Sequence, residues 1–305
     1  MRKVYTIGET VLDIIFKDLK PVAAKTGGAM VNTTISLGRL KVPVSLLTEY
    51  GNDQVGTIID NFLKDNGVST EYIQRYDDGK SSISMAFLDD KNNAQYSFYK
   101  NYPAKRLNFK MPPVAENDVV LFGSYYGMAD EVRESVINFI HYAREHKAII
   151  VYDPNYRKAH EFELEKMRPN ILENMSLAHI VRGSDEDFSF IFNSQTPEEA
   201  YNKVKTLCPN LIVTANQKGI YVFSGSVSKK YPVETIQPVS TVGAGDTFNA
   251  GIVYSLLKQD VRLEGVNNIT ENQWDGIVKT ATAFATHVCL SYDNYISKEF
   301  AQKFQ

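Results

Sequence analysis

Short runs of strand-forming residues alternate with longer amphipathic runs along the chain. This alternation constrains the fold more than any other feature. VYTI (4–7), SLLTEY (45–50), DVVLFG (118–123), AIIVYD (148–153), AHIVRG (178–183) and LIVTA (211–215) read as strands. Most are continuous apolar stretches, the pattern of strands covered by helices on both faces. Between them, apolar residues at helical spacing mark Asn32 to Leu40, Val55 to Asn66, Glu131 to His146, Pro197 to Leu207 and Thr247 to Lys258. The alternation predicts an α/β protein: a doubly wound, mainly parallel central sheet with flanking helices.

Two regions break the rhythm. SSISMAFLDD (81–90) and NAQYSFYKN (93–101) alternate apolar with polar residues and meet at a turn around Asp90, Lys91, Asn92 and Asn93. That is the signature of an antiparallel hairpin. VLDIIF (11–16) and PVAA (21–24) add two short strands just after the first core strand. Together, from about residues 11–24 and 81–101, these four predict a small β-sheet lid outside the main sheet, able to cover a site. No linker divides the chain, so one domain over 1–305 is expected. The lid edge is a surface on which a second copy could pair to give a homodimer.

Composition narrows the partners. The 305 residues carry a net charge of −3, with Lys and Arg dispersed. No basic block suits nucleic acid, and no basic amphipathic stretch suits a membrane surface. No run approaches the ~20 apolar residues of a membrane span. MRKVYTIGET lacks the apolar core of a signal peptide. Cys208 and Cys289 follow no metal spacing and form no disulfide framework. A cytoplasmic location is expected.

STVGAGDTFNAGIVYSLL (240–257) carries the chemistry. Phe248, Ile252, Val253, Leu256 and Leu257 fall at helical spacing, so Gly243, Ala244 and Gly245 form a turn and Asp246 opens a helix. A helix N-terminus offers unpaired N–H groups and partial positive charge. The small residues let those amides approach a ligand, making an anion hole suited to phosphate. The turn is not a Walker loop, because no Gly-Lys-Ser/Thr follows. Its late position and spacing also exclude the dinucleotide fingerprint. A carboxylate beside a phosphate repels it, so Asp246 makes sense as a general base for an attacking hydroxyl.

TVGAGDTFNAG resembles the C-terminal signature of the ribokinase-like (PfkB-type) carbohydrate kinases. GGAMVNTTISLGRL (27–40) and YGNDQVG (50–56) resemble the N-terminal motifs of that family. The resemblance implies an ATP-dependent sugar kinase using Mg²⁺, with Asp246 as base and Gly243, Ala244 and Gly245 as anion hole. It puts the sugar near Asp13, Gly27, Gly28 and Asn32. YDPNYR (152–157) resembles a fructokinase-type motif, in which Asn155 touches the sugar and Arg157 the transferring phosphate. On the hairpin, YSFYKN places Phe98 or Lys100 over the sugar. IVTANQKG (212–219) resembles the nucleotide motif, with Thr214 and Gly219 matching and Asn216 replacing a glycine. VRGSDEDF (181–188) resembles the stretch that meets Mg²⁺ and phosphate through water, here with Ser184 and Asp187, and with Arg182 in its first position.

Fructose is the expected acceptor. A carboxylate such as Asp13 can hold two adjacent hydroxyls of a neutral polyol but repels an acidic sugar. 2-Keto-3-deoxygluconate kinase is the nearest alternative, followed by ribokinase or another ketose or nucleoside kinase. A non-catalytic sugar-binding regulator is the alternative from another class. Ser240 stands where potassium-activated members carry Asp, so a weak dependence on monovalent cations is expected.

Overall fold

Pairing of the apolar runs yields three sheets in the computed structural model, which describes residues 1–89, 94–156, 162–225 and 227–305. The chain begins β1 (Val4–Ile7), β2 (Val11–Lys17), β3 (Lys20–Gly27), α1 (Ala29–Arg39), β4 (Val44–Leu47), β5 (Glu49–Gly51) and α2 (Gln54–Asp65). It continues through β6 (Val68–Ser69), β7 (Gln74–Tyr76), β8 (Lys80–Leu88), β9 (Ala94–Asn101), β10 (Val119–Gly123), α3 (Ser124–Met128) and α4 (Asp130–Glu145). β11 (Ile149–Asp153), α5 (Leu164–Leu177), β12 (Ile180–Ser184), α6 (Asp185–Phe192), α7 (Pro197–Val204) and β13 (Leu211–Thr214) follow. β14 (Ile220–Ser224), β15 (Val227–Tyr231), α8 (Ala244–Lys258), α9 (Glu271–Cys289) and α10 (Lys298–Gln302) complete it.

The large sheet runs β15-β14-β13-β12-β11-β10-β1-β4-β6 among the described residues. From β6 to β13 all its pairs are parallel, and β14 and β15 add an antiparallel edge. The chain leaves β1 toward β4 and β6, then returns to β10 on the other side of β1. In open α/β sheets, ligands collect outside the carboxyl ends of the strands at such a reversal.

Burial explains the continuous apolar runs: β1, β4, β10 and β11 are covered on both faces. Alternate residues feed two separate layers. Val119 and Leu121 pack with Ile35, Ile252, Trp274 and Phe284 of α1, α8 and α9. Val120 and Phe122 pack with Phe139, Ile171 and Phe188 of α4, α5 and α6.

The expected small sheet is separate, ordered β3-β2-β8-β9. β2 runs antiparallel to β3 and parallel to β8, and β8 and β9 form the hairpin. Its turn, Asp90 to Asn93, lies outside the described residues. The run SLLTEY divides at Thr48: β4 stays in the large sheet, while β5 pairs with β7. β6, β14 and β15 exceed the six strands expected for the large sheet: β6 is only two residues long, and the polar run VSKKY hides the edge strand β15.

The division at Thr48 places Glu49 under the exit from β9. Glu49 is buried and accepts from Arg106 Nε at 2.5 Å, the Leu107 amide at 2.6 Å and the Tyr126 hydroxyl at 3.0 Å. The Arg106 guanidinium also lies over the Tyr102 ring, 3.3 Å from its centroid. Arg106→Met keeps the stem and strands the Glu49 carboxylate, so it should cost about 3 kcal/mol, as breaking a buried pair does. A matching drop in the urea midpoint with an unchanged slope is the expected outcome.

Candidate active site

α8 begins at Ala244, two residues before the Asp246 start read from the sequence, so Ala244 and Gly245 already belong to its first turn. Gly243 caps it with φ of 81°, and a Cβ there would lie 2.4 Å from the Asn294 carbonyl oxygen. Both the left-handed backbone and the close approach therefore require glycine. Gly243, Ala244 and Gly245 are half-buried, and the helix is buried without interruption from Asp246 to Leu256. The turn is thus less enclosed than the helix behind it, and the Ala244 amide donates weakly to the Thr241 carbonyl at 3.3 Å.

Asp246 is 7% exposed and is held by the neighbouring helix. Asn32 Nδ2 in α1 donates to its Oδ2 at 2.8 Å, and Thr33 Oγ1 donates to its backbone oxygen at 2.7 Å.

Strand ends supply a second group. Asp153 closes β11, and its Oδ2 accepts from Arg182 Nη1 of β12 at 2.8 Å and from Asn249 Nδ2 of α8 at 2.6 Å. Its Oδ1 accepts from the Asn155 amide at 2.9 Å. Arg182 Nη2 donates to Thr214 Oγ1 at 2.7 Å. A Cβ on Gly245 would lie 2.9 Å from Arg182 Nη1, so a buried cation sits against the glycine turn.

Four buried polar atoms in these groups have no hydrogen-bond partner among the described residues: Asn32 Oδ1, Asn155 Nδ2, Asn249 Oδ1 and Arg182 Nε. Orphaned buried polar atoms are rare in finished cores and carry a desolvation cost. Here they include both a donor and an acceptor from the expected sugar residues. A polyhydroxyl ligand answers that chemistry.

The small sheet holds Asp13. Ser84 Oγ of β8 donates to its Oδ1 at 2.6 Å. A Cβ on Gly27 would meet Asp13 Oδ2 at 2.2 Å, so the glycine admits the carboxylate. Burial pushes the Asp13 carboxyl above its ordinary range, and the charge of Glu9 adds to the shift. Gly28 caps α1, which connects this group to Asn32 within a few residues. Lys100 Nζ lies 2.6 Å from Glu9 Oε1 and 5.3 Å from the centroid of the Phe98 ring. Phe98 itself is exposed.

Of the remaining residues, Asn216 and Gly219 lie near β14 and β15, while Ser184 and Asp187 border the Asp153 group. Asn216 is exposed and takes φ of 47°, a left-handed conformation that Asn tolerates well, so it stands in for glycine without narrowing a pocket. Gly219 abuts the Tyr231 carbonyl on β15. Ser184 and Asp187 form a capping box at the start of α6, and the Tyr156 amide donates to Asp187 Oδ1 at 2.6 Å. Burial and the nearby Asp153 charge push the Asp187 carboxyl up. Arg157 lies outside the described residues. No group of three His, Cys, Asp or Glu side chains suited to a metal ion occurs among the described residues.

Arg182, Asp153, Asn249 and Glu9 were not singled out as site residues by the sequence reading. Asn249 offered a signal: an amide side chain one turn after Asp246, within the helix's buried stretch.

The model of the pfkB family carbohydrate kinases matches residues 1–300. The chain is 25% identical over 268 residues to probable fructokinase-4 of Arabidopsis thaliana, covering 86% of this chain and 82% of that protein. It is 24% identical over 264 residues to a fructokinase of Vibrio alginolyticus, covering 84% of each. Its fold is similar to that of a fructokinase double mutant from Vibrio cholerae O395 in fructose-, ADP- and potassium-bound form. The TM-score is 0.85 at 20% identity, covering 100% of this chain and 98% of that one. It also resembles aminoimidazole riboside kinase from Salmonella enterica, complexed with aminoimidazole riboside and an ATP analogue. There the TM-score is 0.83 at 18% identity, covering 99% of each chain. A match over nearly the whole chain, with the glycine turn and its buried aspartate at the expected helix end, places this protein in the pfkB family of carbohydrate kinases.

Proposed function

We propose that this kinase transfers the γ-phosphoryl group of ATP to a hydroxyl of fructose. The observation that carries the reading is Asp246, buried at the opening turn of α8 and oriented by Asn32, whose Oδ1 has no partner. Asp246 takes the hydroxyl proton, and the hydroxyl oxygen forms a bond to the γ-phosphorus. The bond from that phosphorus to the bridging oxygen breaks, and ADP leaves with the electron pair. The amides of Gly243, Ala244 and Gly245 stabilise charge on the transferring group, where fixed donors in a dry site are most effective. Arg182 adds positive charge behind the turn. Arg157 keeps its expected role on the transferring phosphate.

Asp13, Gly27, Gly28, Asn32, Asn155, Phe98 and Lys100 are the proposed sugar contacts, under a lid made by β3, β2, β8 and β9. The 24–25% identity to fructokinases over most of the chain supports fructose. Asp13 and the nearby Glu9 charge favour a neutral sugar over an acidic one. Thr214, Asn216 and Gly219 are the proposed nucleotide contacts. Among the described residues no side chains form a protein-ligated metal centre, so Mg²⁺ would arrive on the nucleotide phosphates and meet Ser184 and Asp187 through water. The two free cysteines suit a reducing cytoplasm, and among the described residues no helix is long and apolar enough to cross a membrane. A single kinase domain and pairing of two lids into a homodimer complete the proposal. A coupled assay with ATP against fructose, ribose, 2-keto-3-deoxygluconate and aminoimidazole riboside tests it, with fructose expected to give the highest kcat/KM.

Asp246→Asn keeps the shape and removes the base. It should lower kcat by roughly 10²–10⁴-fold with little change in sugar binding. Near wild-type turnover at saturating substrates would show that another group takes the proton.

Asp13→Ala should weaken fructose binding by about 2–3 kcal/mol, the cost of leaving hydrogen bonds to a charged group unmade. Calorimetry should find ATP affinity unchanged. Because the Asp13 carboxyl is raised, sugar affinity should be full at neutral pH. It should fall as the pH drops through a value above that of a free aspartate. That acid limb should vanish in Asp13→Asn.

Ser240 brings no negative charge to the turn, and its hydroxyl already accepts from the Val242 amide at 3.2 Å. Replacing tetramethylammonium by K⁺ at fixed ionic strength should change the initial rate by less than about tenfold, or ~1.4 kcal/mol in the barrier.

A further inference from the structure

Lys25 is the β3 partner of Asp13 in the β2–β3 register. Antiparallel partners share one face of a sheet, so Lys25 lies beside Asp13 on the same face of the lid. Its ammonium leaves the lid altogether. Nζ donates to the Tyr292 carbonyl at 2.8 Å and stands 3.5 Å from Asp293 Oδ1. Both acceptors belong to the segment between α9 and α10, on the main body of the protein.

That segment also abuts the anion-hole turn. The Asn294 carbonyl oxygen occupies the position next to Gly243 that a side chain would need, 2.4 Å from a Cβ placed there. At the start of the segment, the Cys289 carbonyl accepts from the amides of Val239 at 2.8 Å and Ser240 at 3.3 Å. At its far end, Arg39 Nη1 donates to the Ile296 carbonyl at 2.8 Å. Lys25 thus grips the middle of a strap pinned at both ends, one residue from the atom that packs on Gly243.

We propose that Lys25 is a positioning residue that couples the lid to the anion-hole turn, so that seating of the lid over the sugar and alignment of the Gly243–Gly245 amides occur together. This rests on the sugar-kinase reading above. The Lys25 and Asp293 side chains are 27% and 52% exposed, so the contact is screened and contributes little to global stability. Its effect belongs to the geometry of the site.

The test is Lys25→Met, which keeps the length and removes the charge, alongside Lys25→Arg. With the thermal midpoint little changed, Lys25→Met should raise the sugar KM and lower kcat. Together kcat/KM should fall roughly three- to tenfold, between the effect of a screened pair and that of a charge-assisted hydrogen bond. Lys25→Arg should restore most of the loss. Amide hydrogen exchange should quicken in Lys25→Met at residues 240–246 as well as in β3. Wild-type kinetics in Lys25→Met, no recovery in Lys25→Arg, or faster exchange confined to β3 would each overturn the coupling. Failure of the wild-type chain to phosphorylate any sugar would instead overturn the sugar-kinase reading, and the exchange experiment would still decide the coupling.

Discussion

The buried pair of Asp153 and Arg182 fixes the site. Asp153 ends β11, Arg182 lies on β12, and their side chains are 1% and 7% exposed. Taking two such ions out of water is costly, and the cost is met only where other hydrogen bonds satisfy the remaining atoms. Asn249 of α8, Thr214 of β13 and the Asn155 amide satisfy all but Arg182 Nε, which has no partner among the described residues. The pair therefore does more than join two strands. It draws the opening turns of α8 down onto the sheet and sets the depth at which Asp246 sits.

Two carboxylates then divide the work by environment. Asp246 is oriented by Asn32 in the first turn of α8. Asp13 is desolvated on a thin sheet, with one hydrogen bond from Ser84. The two carboxylates thus differ in setting, one packed at a helix start and the other desolvated on the small sheet. The short connection from Gly27, which abuts Asp13, through α1 to Asn32, which holds Asp246, ties their positions together.

Much of this was legible in the sequence, for identifiable reasons. Strands buried on both faces write themselves as continuous apolar runs, and β1, β10, β11, β12 and β13 were read that way. The Gly-Ala-Gly turn was legible because few other uses of a chain need two glycines and a carboxylate at a helix start. Partnerships across the fold were not. Nothing local announces that Arg182 meets Asp153, or that Lys25 meets a carbonyl some 270 residues later. Asp187 shows the limit from the other side, since the capping box that engages it at the start of α6 uses the same residue types as an outer metal shell. The edge strand β15 escaped notice because its lysines mask the alternation that would have revealed it.

Those lysines have a consequence for how the protein behaves in a crowded solution. An open sheet presents unpaired amides and carbonyls at each end, a template on which a second chain can stack. At one end of the large sheet β6 is only two residues long, too short to template a partner. At the other, β15 carries Lys229 and Lys230, and Lys229 is drawn toward Glu271 and Asp275 of α9. Another strand approaching there would meet positive charge and would have to displace those ion pairs. Both ends are closed to growth, so the large sheet resists the strand-by-strand aggregation that its long apolar runs would otherwise invite during folding.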